Sequence, residues 1–191
     1  MLNKEEAIDS IDSYLGDSEK SVLRTLTANT LKLFMKQRIQ LNTSYYVRGN
    51  EETLKQFKAY YLACCLKQKE RLKYGMQMIS EHASLLASDS AEDIGVEDIL
   101  FLYVHKNESG IGKTEEWIIA TTLNEVSNRN RKGYTTIILS ERPIDQFKDS
   151  DELKYINLGV KDKSKKVIIK EIKEGTNSNS AVSEDGTNYG R

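Results

Sequence analysis

The fold is decided by residues 99–139, which begin with the run ILFLYV (99–104) and end with the run YTTIIL (134–139). Short runs of apolar and β-branched residues without polar alternation are typical of strands buried on both faces. Between the two runs, residues 114–128 carry their apolar side chains at helical spacing. A strand, a helix and a strand in this order predict a β-α-β unit, with parallel strands joined by a right-handed crossover.

The preceding part of the chain has the periodicity of helices. Apolar residues recur every three or four positions over residues 4–15, again over 17–41, and again over 51–87. This spacing predicts three amphipathic helices. Residues 42–50, which contain two tyrosines and a glycine, indicate a loop between the second and the third helix.

The chain after its single proline is less regular. Residues 144–154 indicate a short helix, and the runs at 155–158 and 166–172 indicate two strands that a polar turn joins into a hairpin. From residue 175 onward, serine, asparagine, threonine and glycine dominate, which predicts a disordered tail.

These patterns predict an α+β or α/β fold in three parts. The first is an N-terminal helical region over residues 1–90. The second is a small β-α-β module with a C-terminal hairpin over residues 95–174, and the third is the tail over residues 175–191.

Composition and charge exclude several classes of protein. The chain has 191 residues, of which 38% are hydrophobic and 30% charged, and its formal net charge is −1. Such a chain can build a core, and its charge provides no global attraction to nucleic acid or membrane. The first residues, MLNKEE, turn acidic at once, and no apolar run approaches the roughly 18 residues of a membrane span. We expect an intracellular, cytoplasmic protein without a membrane partner.

The cysteines and histidines do not form a metal-binding pattern. Cys64 and Cys65 are adjacent in a helical segment, where neighbouring cysteines have the wrong geometry for a disulfide. His82 and His105 lack the spacing of metal ligands. We therefore interpret the cysteines as small core residues in a reducing compartment.

One motif carries recognisable chemistry, the stretch SGIGKT (109–114) between the predicted strand and the predicted helix. It matches the end of the phosphate-loop pattern G-x-x-x-x-G-K-[ST]. In such a loop, glycine amides form a nest for phosphate oxygens and the following helix adds its positive end. The candidate nucleotide-binding residues are Gly110, Gly112, Lys113 and Thr114. Lys113 would reach the terminal phosphates of ATP, and Thr114 would help to hold Mg²⁺.

Three features of the motif depart from a working ATPase. Asn107 stands where the pattern has its first glycine, although asparagine tolerates a positive φ. The second strand ends at Ser140, where an aspartate that holds Mg²⁺ would be expected. Glu115 and Glu116 would add negative charge beside the phosphates. The motif therefore indicates nucleotide binding with impaired hydrolysis or, alternatively, an ordinary glycine-rich connection with a capped helix.

The same segment resembles the Walker A region of bacterial and phage helicase-loader ATPases of the AAA+ class. The likeness rests on residues 100–103, on residues 109–114, on Ala120 and on the sequence LNE (123–125), and it covers about 40 of the 191 residues. It implies a degenerate or truncated P-loop protein with a role in DNA replication. It also implies ATP binding, self-association and contact with a replicative helicase.

A second alignment with the same loaders is also possible. Residues 114–117, 128–129 and 135–143 resemble the later stretch of those proteins that runs from the Walker B strand to the sensor strand. Under this alignment, residues 103–105 occupy the place of the Walker B carboxylates, which are missing. The two alignments exclude each other.

The patterns and the resemblance together leave three possible functions. The first is a helicase-loader-like accessory protein that binds a nucleotide, and the second is a non-enzymatic protein-interaction module that works through its N-terminal helices. The third is nucleic-acid binding through a group of lysines, for which a soluble strand edge is the alternative explanation. The group comprises Lys161, Lys163, Lys165, Lys166, Lys170 and Lys173. A sheet of four or more parallel strands would favour a nucleotide-binding fold.

Overall fold

A computed structural model of the chain describes residues 16–68, 72–88, 97–107 and 115–159. In these residues, helices alternate with short strands. The helices are α1 (Asp17–Arg24), α2 (Ala28–Lys36), α3 (Glu51–Gln68), α4 (Ile79–Leu86), α5 (Glu115–Arg131) and α6 (Asp145–Lys148). The strands are β1 (Tyr45–Arg48), β2 (Tyr74–Met78), β3 (Ile99–Val104), β4 (Thr135–Ser140) and β5 (Lys154–Asn157).

The five strands form one sheet in the order β2-β3-β4-β1-β5, and every neighbouring pair is parallel. The connection from β1 to β2 passes over β4 and β3. The later connections step in the opposite direction, from β2 to β3 to β4 and then past β1 to β5. The direction of winding therefore reverses between β1 and β4, which is the topological switch point where open α/β sheets bind their ligands.

The face of the sheet under α3 is rich in aromatic side chains. Phe57 on α3 stacks on Tyr61, and Tyr61 meets Phe101 on β3 edge to face, with ring centroids 6.1 and 6.4 Å apart. Phe34 on α2 meets Phe57 at 5.6 Å and so joins the N-terminal helices to this core. Buried rings in such arrangements contribute more than their area alone, so they fix α2 and α3 over the sheet.

The opposite face packs under α4, α5 and α6. It contains mainly aliphatic residues, the stacked rings of Tyr46 and Phe147, and a buried arginine. Arg129 on α5 is 1% exposed. Its Nε donates to the hydroxyl of Thr136 (3.0 Å), and its Nη2 donates to the carbonyls of Glu97 (2.9 Å) and Thr135 (3.2 Å). A buried charge is tolerated only with such partners. Arg129 therefore anchors the C-terminal end of α5 to β4.

The sequence prediction of a mixed fold with N-terminal helices and a β-α-β unit is confirmed. β3 and β4 lie within one residue of their predicted bounds and pair in parallel, from Ile99 opposite Thr135 to Val104 opposite Ser140. The short helix predicted after Pro143 is α6. The proposed division at residues 90–95 stays a prediction, although β1 and β2 belong to the same sheet as the later strands.

The loop predicted over residues 42–50 is wrong, because β1 occupies residues 45–48 and lies inside the sheet between β4 and β5. Its sequence, YYVR, is buried at three consecutive positions, so it shows none of the alternation that marks a half-exposed strand. A run of four residues is also too short to produce a periodic signal.

The helix predicted over residues 51–87 is also wrong beyond Gln68, because β2 and α4 follow it. Leu72, Met76 and Ile79 continue the helical spacing of α3 by coincidence. Met76 is 46% exposed on an edge strand, whereas a core-facing helical position would be buried.

The helix predicted over residues 17–41 is interrupted, so that α1 and α2 are separate. Thr27 starts α2, since its side-chain oxygen accepts the N–H of Thr30 at 3.1 Å as an N-cap. The helix predicted over residues 4–15 lies outside the described residues.

The run predicted as a strand at 155–158 is β5, which pairs in parallel with β1. Its predicted hairpin partner at 166–172 and the predicted tail fall outside the described ranges, so these two remain predictions. None of the helices in the described part of the chain combines the length and apolar character needed to cross a bilayer.

Candidate functional site

The carboxyl ends of all five strands meet at one edge of the sheet, because the strands are parallel. Three connections leave this edge close to the switch point. The β1–α3 turn consists of Gly49 and Asn50, the β3–α5 connection covers residues 105–114, and the β4–α6 connection begins at Glu141. A nucleotide site would have to be built from these connections.

The predicted nucleotide-binding residues lie outside the described part of the chain. Gly110, Gly112, Lys113 and Thr114 all fall in the range 108–114. The elements on either side are where the motif requires them, since β3 ends at Val104 and α5 begins at Glu115. The predicted strand before the motif and the predicted helix after it are therefore confirmed. The phosphate nest, with its Mg²⁺ position at Thr114, stays a prediction.

Asn107 does not adopt the left-handed conformation that would let it replace the first glycine of the motif. In the described ranges, the non-glycine residues with positive φ are Arg38 and Asn42. The backbone N–H of Asn107 instead donates to Nδ1 of His105 at 3.1 Å. The start of the β3–α5 connection is thus a local turn.

The β1–α3 turn lies at the switch point and has the structure of a simple helix cap. The side-chain oxygen of Asn50 accepts the N–H of Thr53 at 2.8 Å, and its carbonyl accepts the N–H of Leu54 at 2.9 Å. Asparagine is among the best N-cap residues because it satisfies a free amide of the first helical turn. The N–H of Gly49 donates to the carbonyl of Ser140 at 3.1 Å. The amides of Gly49 and Thr53 are therefore already bonded within the protein.

Negative charge follows this turn directly. Glu51 and Glu52 occupy the first turn of α3, where their negative charge interacts favourably with the positive end of the helix dipole. The hydrogen bond and charge of Lys55 lower the pKa of Glu51, with smaller contributions from His105 and Lys106. Glu51 is therefore ionised at neutral pH and would repel a polyphosphate at the helix N-terminus.

Glu141 joins the end of β3 to the end of β4. Its N–H donates to the carbonyl of Val104 at 3.0 Å, and its Oε2 accepts the N–H of Lys106 at 3.1 Å. The same oxygen lies 3.5 Å from Nε2 of His105. The Glu141 side chain is 9% exposed. The local sequence gives no signal for this role, because it depends on contacts between Glu141 and the end of β3, about 35 residues earlier in the chain.

The hydroxyl of Ser140 forms hydrogen bonds within the turn that follows β4. The Oγ donates to the carbonyl of Arg142 at 2.8 Å and accepts the N–H of Arg142 at 3.0 Å, and the residue is fully buried. The hydroxyl of Ser140 is therefore already bonded within the turn that follows β4. Across the described residues, no group of three or more His, Cys, Asp or Glu side chains could hold a metal ion.

One cavity lies among the described residues of the carboxyl edge, and it is small. It has a volume of about 170 Å³ between α1, the first turns of α3 and the ends of β3 and β4. Pockets for drug-sized ligands measure about 300–1,000 Å³, so this space is too small for a nucleoside triphosphate. Tyr103 lines it, and burial raises the pKa of this phenol, with a further contribution from the charge of Glu141.

The lysines proposed to bind nucleic acid, from Lys161 to Lys173, also lie outside the described ranges. Nucleic-acid binding therefore stays a prediction. The interpretation of the cysteines agrees with the structure at Cys65, which is buried, whereas Cys64 is half-buried. Neither cysteine forms a disulfide.

Comparisons with known proteins show only a distant structural likeness. No family model matches the chain, and no curated protein matches it. One similar solved structure is described as the crystal structure of a DNA replication initiation factor, with 11% sequence identity and a TM-score of 0.42. Another is AMPPCP-bound DnaA from Aquifex aeolicus, with 13% identity and a TM-score of 0.43.

Both matches cover 93% of this chain, which spans only 56% and 57% of those two proteins. At these TM-scores the likeness carries no argument about activity.

Proposed function

We propose that this protein is a non-hydrolysing accessory factor that acts by contact with another protein. It is built on a nucleotide-binding type of sheet whose switch point no longer holds a nucleotide. The observation that carries the proposal is the β1–α3 turn. A phosphate loop of the G-x-x-x-x-G-K-[ST] type needs about eight residues, whereas this turn has two, of which Asn50 caps its own helix.

The sheet topology supports the second of the two alignments with helicase loaders. The nucleotide position expected from the switch point is the connection after β1, and not the connection after β3. If β3 corresponds to the Walker B strand and β4 to the sensor strand, the motif at 109–114 lies in the segment between them. The missing carboxylates at Tyr103, Val104 and His105 then account for a loss of hydrolysis.

The resemblance to helicase loaders suggests the partner, which would be a replicative helicase or a second copy of this chain. The N-terminal helices offer a surface for this contact. Met35 on α2 is 43% exposed beside the aromatic core that holds α2 in place. Methionine side chains are adaptable and are enriched at protein interfaces.

Co-sedimentation of the full chain with the replicative helicase of the same cell, with and without ATP and Mg²⁺, tests this proposal. We expect binding to the helicase or to itself that does not depend on ATP, and that Met35→Glu weakens at least about tenfold. Ala120→Glu places the same charge on the exposed side of α5 and is the control that should leave binding unchanged. A wild-type chain that contacts neither partner contradicts the proposal.

Nucleotide binding at residues 109–114 is the second candidate function. It is favoured by one observation, which is the placement of β3 directly before the motif and of α5 directly after it. In this candidate, the amides of Gly110 and Gly112 hold phosphate oxygens, Lys113 contacts the terminal phosphates, and Thr114 assists Mg²⁺. ATP-dependent partner binding that is lost in Lys113→Ala would favour this candidate over the first.

A further inference from the structure

A cavity of about 600 Å³ lies on the α3 side of the molecule, away from the carboxyl edge. It lies between the loop that joins α2 to β1 and the C-terminal half of α3. We call it the loop–helix cavity. Its volume falls within the range of about 300–1,000 Å³ that is typical of small-molecule pockets, and it is more than three times that of the cavity at the carboxyl edge.

The lining of the loop–helix cavity has an apolar part and a polar part. Ile39 and Leu41 from the loop face Tyr60 and Tyr61 from α3. The polar part consists of Asn42, Lys67 and Gln68, together with the thiol of Cys64. Asn42, Lys67 and Gln68 are exposed, so they form the open rim of the cavity, whereas the tyrosines form its inner wall. Ligand sites commonly combine an apolar wall with a few polar groups.

The loop wall is held in place before any ligand binds. The N–H of Gln40 donates to the hydroxyl of Tyr45 at 2.7 Å, and Nζ of Lys154 donates to Oε1 of Gln40 at 2.6 Å. A residue with left-handed backbone conformation lies at each end of the loop, Arg38 (φ 49°) at its start and Asn42 (φ 58°) near its end. The first follows the end of α2, a usual place for this conformation, whereas Asn42 itself lines the cavity. A wall that is already ordered reduces the entropy cost of binding.

The polar residues define the head group that the cavity would accept. Asn42 and Gln68 can each donate two N–H groups, and Lys67 carries an ammonium with three donors. Because it has three donors, the ammonium of Lys67 can bind a carboxylate and keep a contact within the protein at the same time. The described residues that line the cavity include no Asp or Glu, so a negative head group would meet no like charge among them.

We propose that the loop–helix cavity binds a small organic carboxylate with an apolar body. The carboxylate contacts Lys67, Asn42 and Gln68, and the apolar body lies between Leu41 and the tyrosines of α3. This site is independent of the proposed loss of nucleotide binding, because it shares no lining residue with the carboxyl-edge cavity.

The two adjacent cysteines provide the means to test it. Cys64 lines the cavity and is half-buried, whereas Cys65 is buried and lines no part of it. Burial raises the pKa of the Cys65 thiol to about 12, so this thiol remains protonated and unreactive. Alkylation by iodoacetamide, followed by mass spectrometry of the peptide, should therefore report on Cys64, with Cys65 as an internal control.

The probes are 4-phenylbutyrate and its neutral counterpart 4-phenylbutanol, added at millimolar concentration to the full chain. We expect 4-phenylbutyrate to slow the alkylation of Cys64 at least threefold and 4-phenylbutanol to slow it less. Lys67→Met should remove the difference between the two probes. Leu41→Trp, which fills the cavity from a half-buried loop position, should remove protection by both.

A second measurement reads out binding without any labelling. The side-chain amide signals of Asn42 and Gln68 in a nitrogen–proton NMR spectrum should shift with 4-phenylbutyrate in the wild type and not in Leu41→Trp. Equal effects of the acid and the alcohol would overturn the assignment of a carboxylate. Unchanged amide signals and unchanged Cys64 alkylation at the highest soluble probe concentration would overturn the site itself.

Discussion

The connection after β1 and the connection after β3 leave the same edge of the sheet, but they are built differently. The first lies at the switch point and contains two residues, which cap α3 and precede two glutamates. The second is ten residues long, from 105 to 114, contains the glycines and the lysine of a phosphate loop, and follows a strand that does not border the switch point. Position and chemistry, which a nucleotide site must combine, are therefore separated in this chain.

The function of a phosphate-loop motif thus depends on the strand that it follows. A glycine-rich connection with a lysine can occur after any strand of an α/β sheet. It becomes a nucleotide site only where neighbouring connections diverge and leave a crevice. Here the neighbours of β3 are β2 and β4, whose connections all step in one direction.

The largest effect is expected at Ser140, which would carry the magnesium-binding aspartate in a working site. Ser140→Asp places an uncompensated carboxylate in a fully buried position beside Glu141 and should destabilise the protein by about 3–5 kcal/mol. Ser140→Ala, the matched control, loses two hydrogen bonds and should cost only about 1–2 kcal/mol. Urea denaturation measures both. A stable Ser140→Asp variant that binds Mg²⁺ would contradict the contrast between the two connections, because the carboxyl edge would then be a latent metal site.

The next effect concerns the helix that follows the second connection. Arg129→Met keeps the volume of the side chain but removes the bonds that tie α5 to β4, and it should cost about 2–3 kcal/mol. Arg131→Met, two residues later and exposed, is the control and should change stability by less than about 0.5 kcal/mol. Equal unfolding midpoints for the two variants would show that α5 does not depend on its buried anchor.

Acid should lower the stability of the protein through His82 on α4, which lies on the same side of the sheet as Arg129. Burial, and then the charge of Arg129, lower the pKa of this fully buried histidine to about 4. The unfolded chain, with an ordinary histidine pKa of about 6.5, binds the proton first as the pH falls. Stability is therefore complete above pH 6.5 and should fall by about 1–2 kcal/mol by pH 5. Chemical denaturation at several pH values should show a smaller slope in His82→Asn, and an identical slope would contradict the assignment.

A smaller effect is expected at the first connection. Asn50→Ala removes the N-cap of α3 and should cost about 1 kcal/mol in the free energy of unfolding. Asn50→Asp retains an oxygen acceptor and should cost little. If both substitutions were neutral, the turn at the switch point would not be a helix cap, and its unsuitability for phosphate would need another explanation.

The sequence predicted the second connection better than the first, for physical reasons. β3, α5 and β4 are long enough for their apolar residues to produce a clear period, and they pair with each other locally. β1 has four residues, and its place in the sheet depends on pairing with Ile137–Ser140 and with Lys154–Asn157, about 90 and 110 residues away. Because the switch point is defined by β1, the local pattern predicted a phosphate-loop motif but not the position of the crevice.

Binding of ATP to the full chain decides whether position and chemistry are separated in this protein. Isothermal titration calorimetry with Mg²⁺ should give no binding heat for the wild type, and ATP at millimolar concentration should leave the unfolding temperature unchanged. Lys113→Ala and the control Lys132→Ala should behave like the wild type. Binding by the wild type with one site per chain, lost in Lys113→Ala and kept in Lys132→Ala, would contradict the separation of position and chemistry.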